Sequence, residues 1–173
     1  REQQVDNYNP DKPDAESYRK ARLLALLQMT YVGAPMIYYG DEVGLWGSDD
    51  PNNRKPMLWE DLQPYDEPGM EVMPGQLDFY RRAIAIRNTY PALRRGSIET
   101  VLIDDDQDTW AFVREFDGQR VLVTINASNT DAVITLPESL GTGWTRALVE
   151  PGEAPVDWPS IHVPAVGGVV WVK

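Results

Sequence analysis

The sequence has no cysteine and a single histidine, His162, and these two shortages exclude several kinds of site. Without cysteine there is neither a disulfide framework nor a thiolate metal site. A Ser-His-Asp or Cys-His site would need His162, which lies in a predicted strand, and the sequence has no Gly-x-Ser-x-Gly elbow. A Gly-rich phosphate loop is also missing. Serine or cysteine hydrolase chemistry and nucleotide binding are therefore not expected.

Positive charge and long apolar runs are also scarce. The 173 residues include 16 Lys and Arg against 27 Asp and Glu, which gives a net charge of −11. Nucleic acid and anionic membrane surfaces would be repelled by such a protein. No apolar stretch reaches the ~20 residues of a membrane span. A neutral ligand such as a sugar is compatible with this composition, and 42% hydrophobic residues can build a core.

The first half of the chain has an α/β pattern. Residues 1–13 are polar and predict a loop, and Asp14 is a good N-cap for a helix over 14–31 whose apolar positions cover most of its circumference. An apolar run over 35–39 then predicts a short strand buried on both faces. Such a strand needs hydrogen-bonded neighbours on both edges, and this sequence does not supply them.

A long segment without periodicity, 40–74, separates this strand from a second predicted helix at 75–89. After residue 96 the pattern changes to short β-branched or aromatic runs separated by turn residues, which is typical of an antiparallel β-sandwich. The predicted strands are 98–103, 109–116, 120–126, 132–136, 145–149, 161–163 and 168–172. We therefore predict two domains, 1–95 and 96–173.

The segment that follows the predicted strand concentrates polar and aromatic residues. Residues 33–42 read Gly-Ala-Pro-Met-Ile-Tyr-Tyr-Gly-Asp-Glu, and residues 50–59 read Asp-Pro-Asn-Asn-Arg-Lys-Pro-Met-Leu-Trp. Loops after the carboxyl ends of parallel strands are where α/β proteins meet their ligands. Carboxylates and arginine can hydrogen-bond sugar hydroxyls in pairs, so this mixture indicates a polyhydroxylated ligand.

These two motifs together resemble the α-amylase family of glycoside hydrolases, at its eighth barrel strand and the following loop. Within that family they are most similar to the neopullulanase, cyclomaltodextrinase and maltogenic amylase group. The resemblance implies an α/β part followed by an all-β part. Residues 1–95 would be the last part of a (β/α)8 barrel, and residues 96–173 the antiparallel β-sandwich that follows it.

The resemblance also implies an activity, namely retaining hydrolysis of α-1,4 and potentially α-1,6 glucosidic bonds in maltodextrins, cyclodextrins or pullulan. In that family the catalytic carboxylates lie on the fourth, fifth and seventh barrel strands, which would precede Arg1. Asp41 and Glu42 are not assigned these roles, because adjacent residues on an extended chain point apart. The isolated chain is thus expected to be inactive, to need an N-terminal remainder, and to use no cofactor or metal.

Three residues are candidate substrate contacts. Asp50 and Arg54 match the family's Asp and Arg that hold glucose units on the non-reducing side of the cleavage point, and Trp46 is a candidate for stacking on a sugar ring. The alternative for Asp50 and Arg54 is a local salt bridge that closes a turn. Tyr38 and Tyr39 are expected to pack in the barrel, and the acidic run 104–108 is expected to be a hairpin turn rather than a calcium site.

Two other functions remain open. A non-catalytic carbohydrate-binding or interaction module would use the sandwich tryptophans, of which Trp158 beside Pro159 is the best candidate for exposure. A glucanotransferase or trehalose synthase of the same family would differ in how it selects water or sugar as acceptor, and those determinants lie upstream.

Overall fold

The computed structural model describes residues 11–48, 50, 52–66, 69–152 and 155–173. The first ten residues of the predicted loop at 1–13 lie outside this part. The α-helices are α1 (Ala15–Thr30), α2 (Gln76–Thr89) and α3 (Pro91–Arg95), and short 3-10 helices span Asp41–Val43, Glu60–Leu62 and Glu138–Leu140. The strands are β1 (Ser97–Asp104), β2 (Thr109–Phe116), β3 (Gln119–Asn126), β4 (Ala132–Thr135), β5 (Thr145–Glu150), β6 (Val156–Asp157), β7 (Ser160–Val163) and β8 (Gly167–Val172).

Helix α1 begins and ends within one residue of the predicted bounds. The Asp14 carboxylate accepts the Ser17 amide at 2.8 Å, so the predicted N-cap is present. Leu23, Leu26 and Met29 are buried on one side of the helix, whereas Leu24 on another side is 67% exposed. The helix is therefore covered on one side only in this chain, although its sequence is apolar over most of its circumference.

The predicted strand at 35–39 does not form. No strand pairing involves these residues among the described part of the chain, and Met36 is 72% exposed. A parallel strand is stable only with hydrogen-bonded neighbours, and the sequence here supplies none. The segment is held instead at isolated points, such as the bond from the Gln28 amide to the Met36 carbonyl.

Helix α2 follows the prediction for 75–89 closely, but α3 was not predicted. Pro91 occupies the first turn of α3, where its missing N–H is not needed. Tyr90 serves both as the C-cap of α2 and as the N-cap of α3. Among the described helices, none has the length and apolar character to cross a membrane.

The second half of the chain forms two antiparallel sheets, as the sequence predicted. The larger has the order β1-β2-β3-β8-β5 and the smaller the order β4-β7-β6. All seven predicted strands are present; 109–116 has the predicted bounds, and the other six differ by one residue at one or both ends. The two-residue β6 was missed because it is too short to show periodicity.

The larger sheet lies between two cores, because its side chains alternate between its faces. One face, with Phe112, Val123 and Val170, packs against helices α1 to α3. The other face, with Leu122 and Trp171, packs against the smaller sheet. The molecule is thus built of three layers, helices, sheet and sheet, and it matches the predicted order of an α/β part followed by an all-β part.

The segment between residues 40 and 75 has a small core of its own. Val43, Leu58 and Val72 are buried together, and the Tyr18 hydroxyl donates to the Gly44 carbonyl at 2.8 Å. The amide of Met73 also donates to the carbonyl of Val43 at 2.9 Å. This loop is therefore anchored on α1 and can present its polar residues from a fixed base.

Candidate functional site

A cleft of about 620 Å³ lies between α1, the start of α2 and the anchored loop. Its walls combine aromatic, amide and carboxylate groups, which suits a polar ligand with apolar faces. The lining side chains include Tyr18, Gln28, Tyr38, Tyr39, Asp41, Trp46, Asn53, Gln76 and Tyr80. We name this space the loop cleft.

Tyr38 and Tyr39 line the loop cleft rather than packing in a core. Their rings are 5.1 Å apart and are 45% and 42% exposed. The Tyr39 hydroxyl donates to the Lys55 carbonyl at 3.2 Å and so connects the two sides of the loop. The expectation of barrel packing rested on neighbouring strands, and in this chain those side chains face solvent.

A chain of hydrogen bonds fixes one end of the loop cleft. Gln76, which is 1% exposed, donates to the Asp41 carbonyl at 3.3 Å and accepts from the Arg22 guanidinium at 3.2 Å. Arg22 in turn donates to the Glu150 carboxylate at 2.6 Å. Sequence reasoning missed this network, because 128 residues separate Arg22 from Glu150 and no local pattern links them.

Burial also shifts the titration of two groups on the cleft wall. Desolvation raises the pKa of the Asp41 carboxyl, and the Glu42 charge adds to this. Burial, with the nearby charges of Asp41 and Glu42, raises the pKa of Tyr80 to about 12. The Glu42 carboxylate accepts the Gly40 amide at 3.0 Å. Asp41 and Glu42 therefore have different surroundings, although they are adjacent in the sequence.

Trp46 lies in the cleft wall, and its ring is already in contact with cations. The Lys55 ammonium is 4.2 Å from the ring centroid, and the Lys12 ammonium is 5.4 Å from it. Lys12 is also held by the Glu71 carboxylate at 2.5 Å. The sequence did not indicate these two lysines as neighbours of Trp46.

Asp50 and Arg54 are brought together in the structure. The Arg54 Nε is 2.6 Å from the Asp50 Oδ1, and the two side chains are 56% and 66% exposed for Asp50 and Arg54. Neither is among the described residues that line the loop cleft. The structure thus shows the local salt bridge that was the alternative interpretation, and the sugar contact remains a prediction. Asp49 and Pro51, which flank Asp50, lie outside the described residues.

Asn53 lies between Asp50 and Arg54 in the sequence and lines the loop cleft. It was not predicted as a site residue. Its Oδ1 is buried without a hydrogen-bond partner and the residue lines the loop cleft. Gly47 allows this arrangement, because a Cβ there would lie 2.4 Å from the Asn53 Cα. An unpaired carboxamide oxygen in a cleft is a ready acceptor for a ligand hydroxyl.

The acidic run lies in the turn between β1 and β2, as predicted. The Asp104 carboxylate accepts the amides of Asp106 and Gln107 at 3.0 and 3.1 Å, so it stabilises the turn. These bonds and the Gln107 side chain lower the pKa of Asp104. Among the residues that the structure describes, no group of three or more His, Cys, Asp or Glu side chains could hold a metal ion.

Comparisons with known proteins agree with the motif. Neopullulanase 2 of Thermoactinomyces vulgaris is 37% identical over 131 residues, which cover 75% of this chain and 21% of that protein. A cyclomaltodextrinase of Geobacillus thermopakistaniensis is 32% identical over 155 residues, covering 88% of this chain and 25% of that protein. No protein-family model matches the chain.

Solved structures give the same relationship. The debranching enzyme from Nostoc punctiforme superposes with a TM-score of 0.72 at 28% identity, over 90% of this chain and 31% of that one. The α-amylase from H. orenii superposes with a TM-score of 0.69 at 28% identity, over 90% of this chain and 35% of that one. The helices followed by antiparallel sheets are consistent with the end of a barrel and a C-terminal β domain. The chain spans about a fifth to a quarter of the length of these two curated relatives. It is a relative of the α-amylase family of glycoside hydrolases, family 13.

Proposed function

We propose that this chain supplies one side of the substrate cleft of an enzyme that hydrolyses α-1,4 glucosidic bonds by a retaining mechanism, with α-1,6 bonds as a second linkage. The substrates would be maltodextrins, cyclodextrins or pullulan. The names of the relatives support this substrate class, since they are a neopullulanase, cyclomaltodextrinases and amylopullulanases. Residues 1–95 would then be the end of the barrel, and residues 96–173 the C-terminal domain.

The observation that carries the proposal is the exposed Asp50–Arg54 pair on the loop beside the cleft. A surface ion pair contributes only ~0–1 kcal/mol, so a ligand can replace it at little cost. The guanidinium offers a rigid fork of donors and the carboxylate two acceptor oxygens, which together match neighbouring hydroxyls on one glucose unit. The pair would therefore orient the substrate rather than react with it.

Trp46 would stack on a second glucose unit once Lys55 moves from its ring. Trp46 and Lys55 are both half-buried, and a cation–π contact is worth ~0.5–2 kcal/mol between exposed and desolvated sites, so a bound sugar can replace the lysine. The lysine amine could then hydrogen-bond a hydroxyl at the edge of the same sugar. In this arrangement Trp46, Asp50 and Arg54 form the substrate-binding set.

The catalytic carboxylates are proposed to lie outside this chain, in a preceding portion of the same protein or in a partner chain. Asp41 and Glu42 are not assigned the catalytic roles, because the family resemblance places those carboxylates on earlier barrel strands. Leu24, Met36 and Tyr38 are exposed apolar side chains on the wall of the loop cleft, and the rest of a barrel would cover part of this wall. The chain by itself is then a sugar-binding surface without the groups that break the bond.

The first test is hydrolysis of maltoheptaose, β-cyclodextrin and pullulan by the 173-residue chain. We expect no release of reducing ends. Measurable turnover by the purified chain would refute the proposal that the catalytic carboxylates lie outside it. The second test places Arg54→Ala in a longer polypeptide that carries the upstream barrel. Loss of hydrogen bonds from a charged group predicts a decrease in kcat/KM of about 10-fold to 100-fold.

Arg81→Ala is the matched control for this second test, because Arg81 is an exposed arginine on α2. Its kcat/KM should stay within about twofold of the parent value. Equal effects of both substitutions would mean that Arg54 acts only through general charge or stability.

A non-catalytic carbohydrate-binding module is the second candidate. It is supported by the complete core between the two sheets, in which the Trp144 and Trp158 rings stack with centroids 6.3 Å apart. If the chain binds sugar and the Arg54→Ala variant binds it with the same affinity, this alternative is favoured. A glucanotransferase or trehalose synthase would instead form transfer or isomerised products in the longer polypeptide.

A further inference from the structure

The Glu150 carboxylate at the end of β5 is shared by two helices. Its Oε1 accepts from the Arg22 Nε of α1 at 2.6 Å, and its Oε2 lies 3.7 Å from the Arg82 Nη2 of α2. The Glu150 side chain is only 12% exposed, so solvent screens these charges weakly. The carboxylate therefore joins the β part of the molecule to both helices that border the loop cleft.

A glycine in β8 brings α1 close to this carboxylate. Gly168 pairs with Glu150 across the two strands, and a Cβ on Gly168 would lie 2.7 Å from the Leu26 Cδ2 of α1. Arg22 lies four residues before Leu26, so the two share one face of the helix. Because Gly168 has no side chain, α1 can approach the sheet here and Arg22 can reach Glu150.

Arg22 also determines which way the buried Gln76 amide points. A guanidinium only donates hydrogen bonds, so the Gln76 atom that faces Arg22 at 3.2 Å must be the oxygen. The Gln76 nitrogen then faces the Asp41 carbonyl, to which it donates at 3.3 Å. If the amide rotated by 180°, its oxygen would face that carbonyl, and two acceptors repel each other. Arg22 thereby keeps a donor directed at Asp41.

The Asp41 carbonyl lies in the turn between two aromatic residues of the cleft wall. It accepts the Gly44 amide at 3.2 Å as well as the Gln76 amide. The Asp41 amide in turn donates to the Tyr38 carbonyl at 3.1 Å. Tyr38 precedes this turn and Trp46 follows it, and both residues line the cleft. The position of Asp41 therefore affects the separation between the two rings.

We propose that Glu150 is a positioning residue for the loop cleft and acts through Arg22 and Gln76. The proposal rests on the proposed function, since it concerns how the cleft holds a glucan. Glu150 is not among the described residues that line the cleft, so it does not act by touching the substrate. Its role is to hold Arg22, so that the turn at Asp41 keeps the two aromatic residues at the spacing that binds the sugar. The β part thus controls substrate affinity from outside the cleft.

Gln76→Glu tests the last link of this network. The substitution keeps the size of the side chain and the acceptor for Arg22, but it replaces the donor at the Asp41 carbonyl with an oxygen. In the longer polypeptide that carries the upstream barrel, KM for maltoheptaose should rise about 10-fold. The kcat value should stay within twofold, because the turn carries groups that bind the substrate and none that react with it.

Gln119→Glu is the matched control for this test. The Gln119 oxygen accepts the Ala92 amide at 3.1 Å, so a carboxylate preserves that bond. Its KM should stay within twofold of the parent value. A lower kcat with unchanged KM in Gln76→Glu would indicate fewer folded molecules and would contradict the positioning role.

Glu150→Gln tests whether the effect originates in the β part. In the ligand-free 173-residue chain, the NMR signals of the Gln76 side-chain amide and the Gly44 backbone amide should shift. Glu99→Gln, at an exposed position in β1, should leave both signals in place. Unchanged signals in Glu150→Gln would overturn the proposal, whether or not the chain binds sugar. If Glu150→Gln does not fold, the KM of Gln76→Glu decides.

Arg54→Ala separates this proposal from the proposed function. If Arg54→Ala lowers kcat/KM while Gln76→Glu and Glu150→Gln leave KM unchanged, the proposed function stands and the positioning role fails. If Gln76→Glu and Glu150→Gln raise KM while Arg54→Ala has no effect, Glu150 positions the cleft and the proposed sugar contact of Arg54 fails.

Discussion

Two buried arginines, Arg87 and Arg114, close the C-terminal end of α1. Arg114 is 1% exposed and donates to the carbonyls of Thr30, Gly96 and Ser97, and Arg87 donates to those of Met29, Tyr31 and Gly33. Burial lowers the pKa of both, and the nearby charge of Arg94 adds to this at Arg87 while that of Arg87 adds to it at Arg114. The negative end of the α1 dipole and six carbonyls take the place of a carboxylate partner.

Arg114→Met should therefore destabilise the fold by about 2–4 kcal/mol, because it leaves buried carbonyls without donors. Urea unfolding followed by circular dichroism measures this change. Arg81→Met, the same substitution at an exposed position on α2, should stay within about 0.5 kcal/mol. If the two variants unfold at the same urea concentration, the arginine bonds contribute no net stability.

At its other end, helix α1 depends on Asp14. Hydrogen bonds from the Ser17 amide and side chain lower the pKa of Asp14 below its usual value of 3.8. A carboxyl whose pKa is lower in the folded state adds stability above the unfolded pKa and loses it as pH falls through the folded pKa. Asp14 should thus contribute fully at pH 7 and progressively less below pH 3.8.

Asp14→Asn keeps a capping oxygen but removes this titration, since asparagine is also a good N-cap. The melting temperature of the variant should lie slightly below that of the parent at pH 7, and the two should converge near pH 2. Thermal melts across this range, with Asp61→Asn at an exposed position as a charge-matched control, measure the difference. A constant gap at every pH would show that Asp14 does not titrate in the transition.

Elements that depend on local pattern were predicted from the sequence, and those that depend on distant partners were not. Runs of β-branched and aromatic residues between turns predicted β2 and β3, and Asp14 predicted the start of α1. The strand at 35–39 failed because its hydrogen-bonding neighbours are not in the sequence. In the site, the motif indicated Trp46, Asp50 and Arg54. The buried Arg22–Glu150 bond spans 128 residues and has no local signal.

Across the whole molecule, the larger sheet needs both of its neighbours. Helices α1 to α3 cover one face and the smaller sheet covers the other, so the domain boundary predicted at residue 95 runs through a shared core. The relatives match this chain over most of its length, so the match includes both helices and sheets. This agrees with helices and sheets that share one core and occur together. The β part is thus not expected to be an independent folding unit.

Residues 96–173 expressed alone should consequently fail to form a stable fold. Removing the helices exposes Phe112, Val121, Val123 and Val170, which are all fully buried in the whole chain. Each such side chain contributes ~1.5–3 kcal/mol, so the four together lose about 6–12 kcal/mol, comparable with the ~5–15 kcal/mol that keeps a domain folded. Near-ultraviolet circular dichroism and thermal unfolding, with the whole chain as the reference, test this expectation. A cooperative transition at the reference temperature would mean that the sheets are stable without the helices, and the shared core would then be a docking interface between two domains.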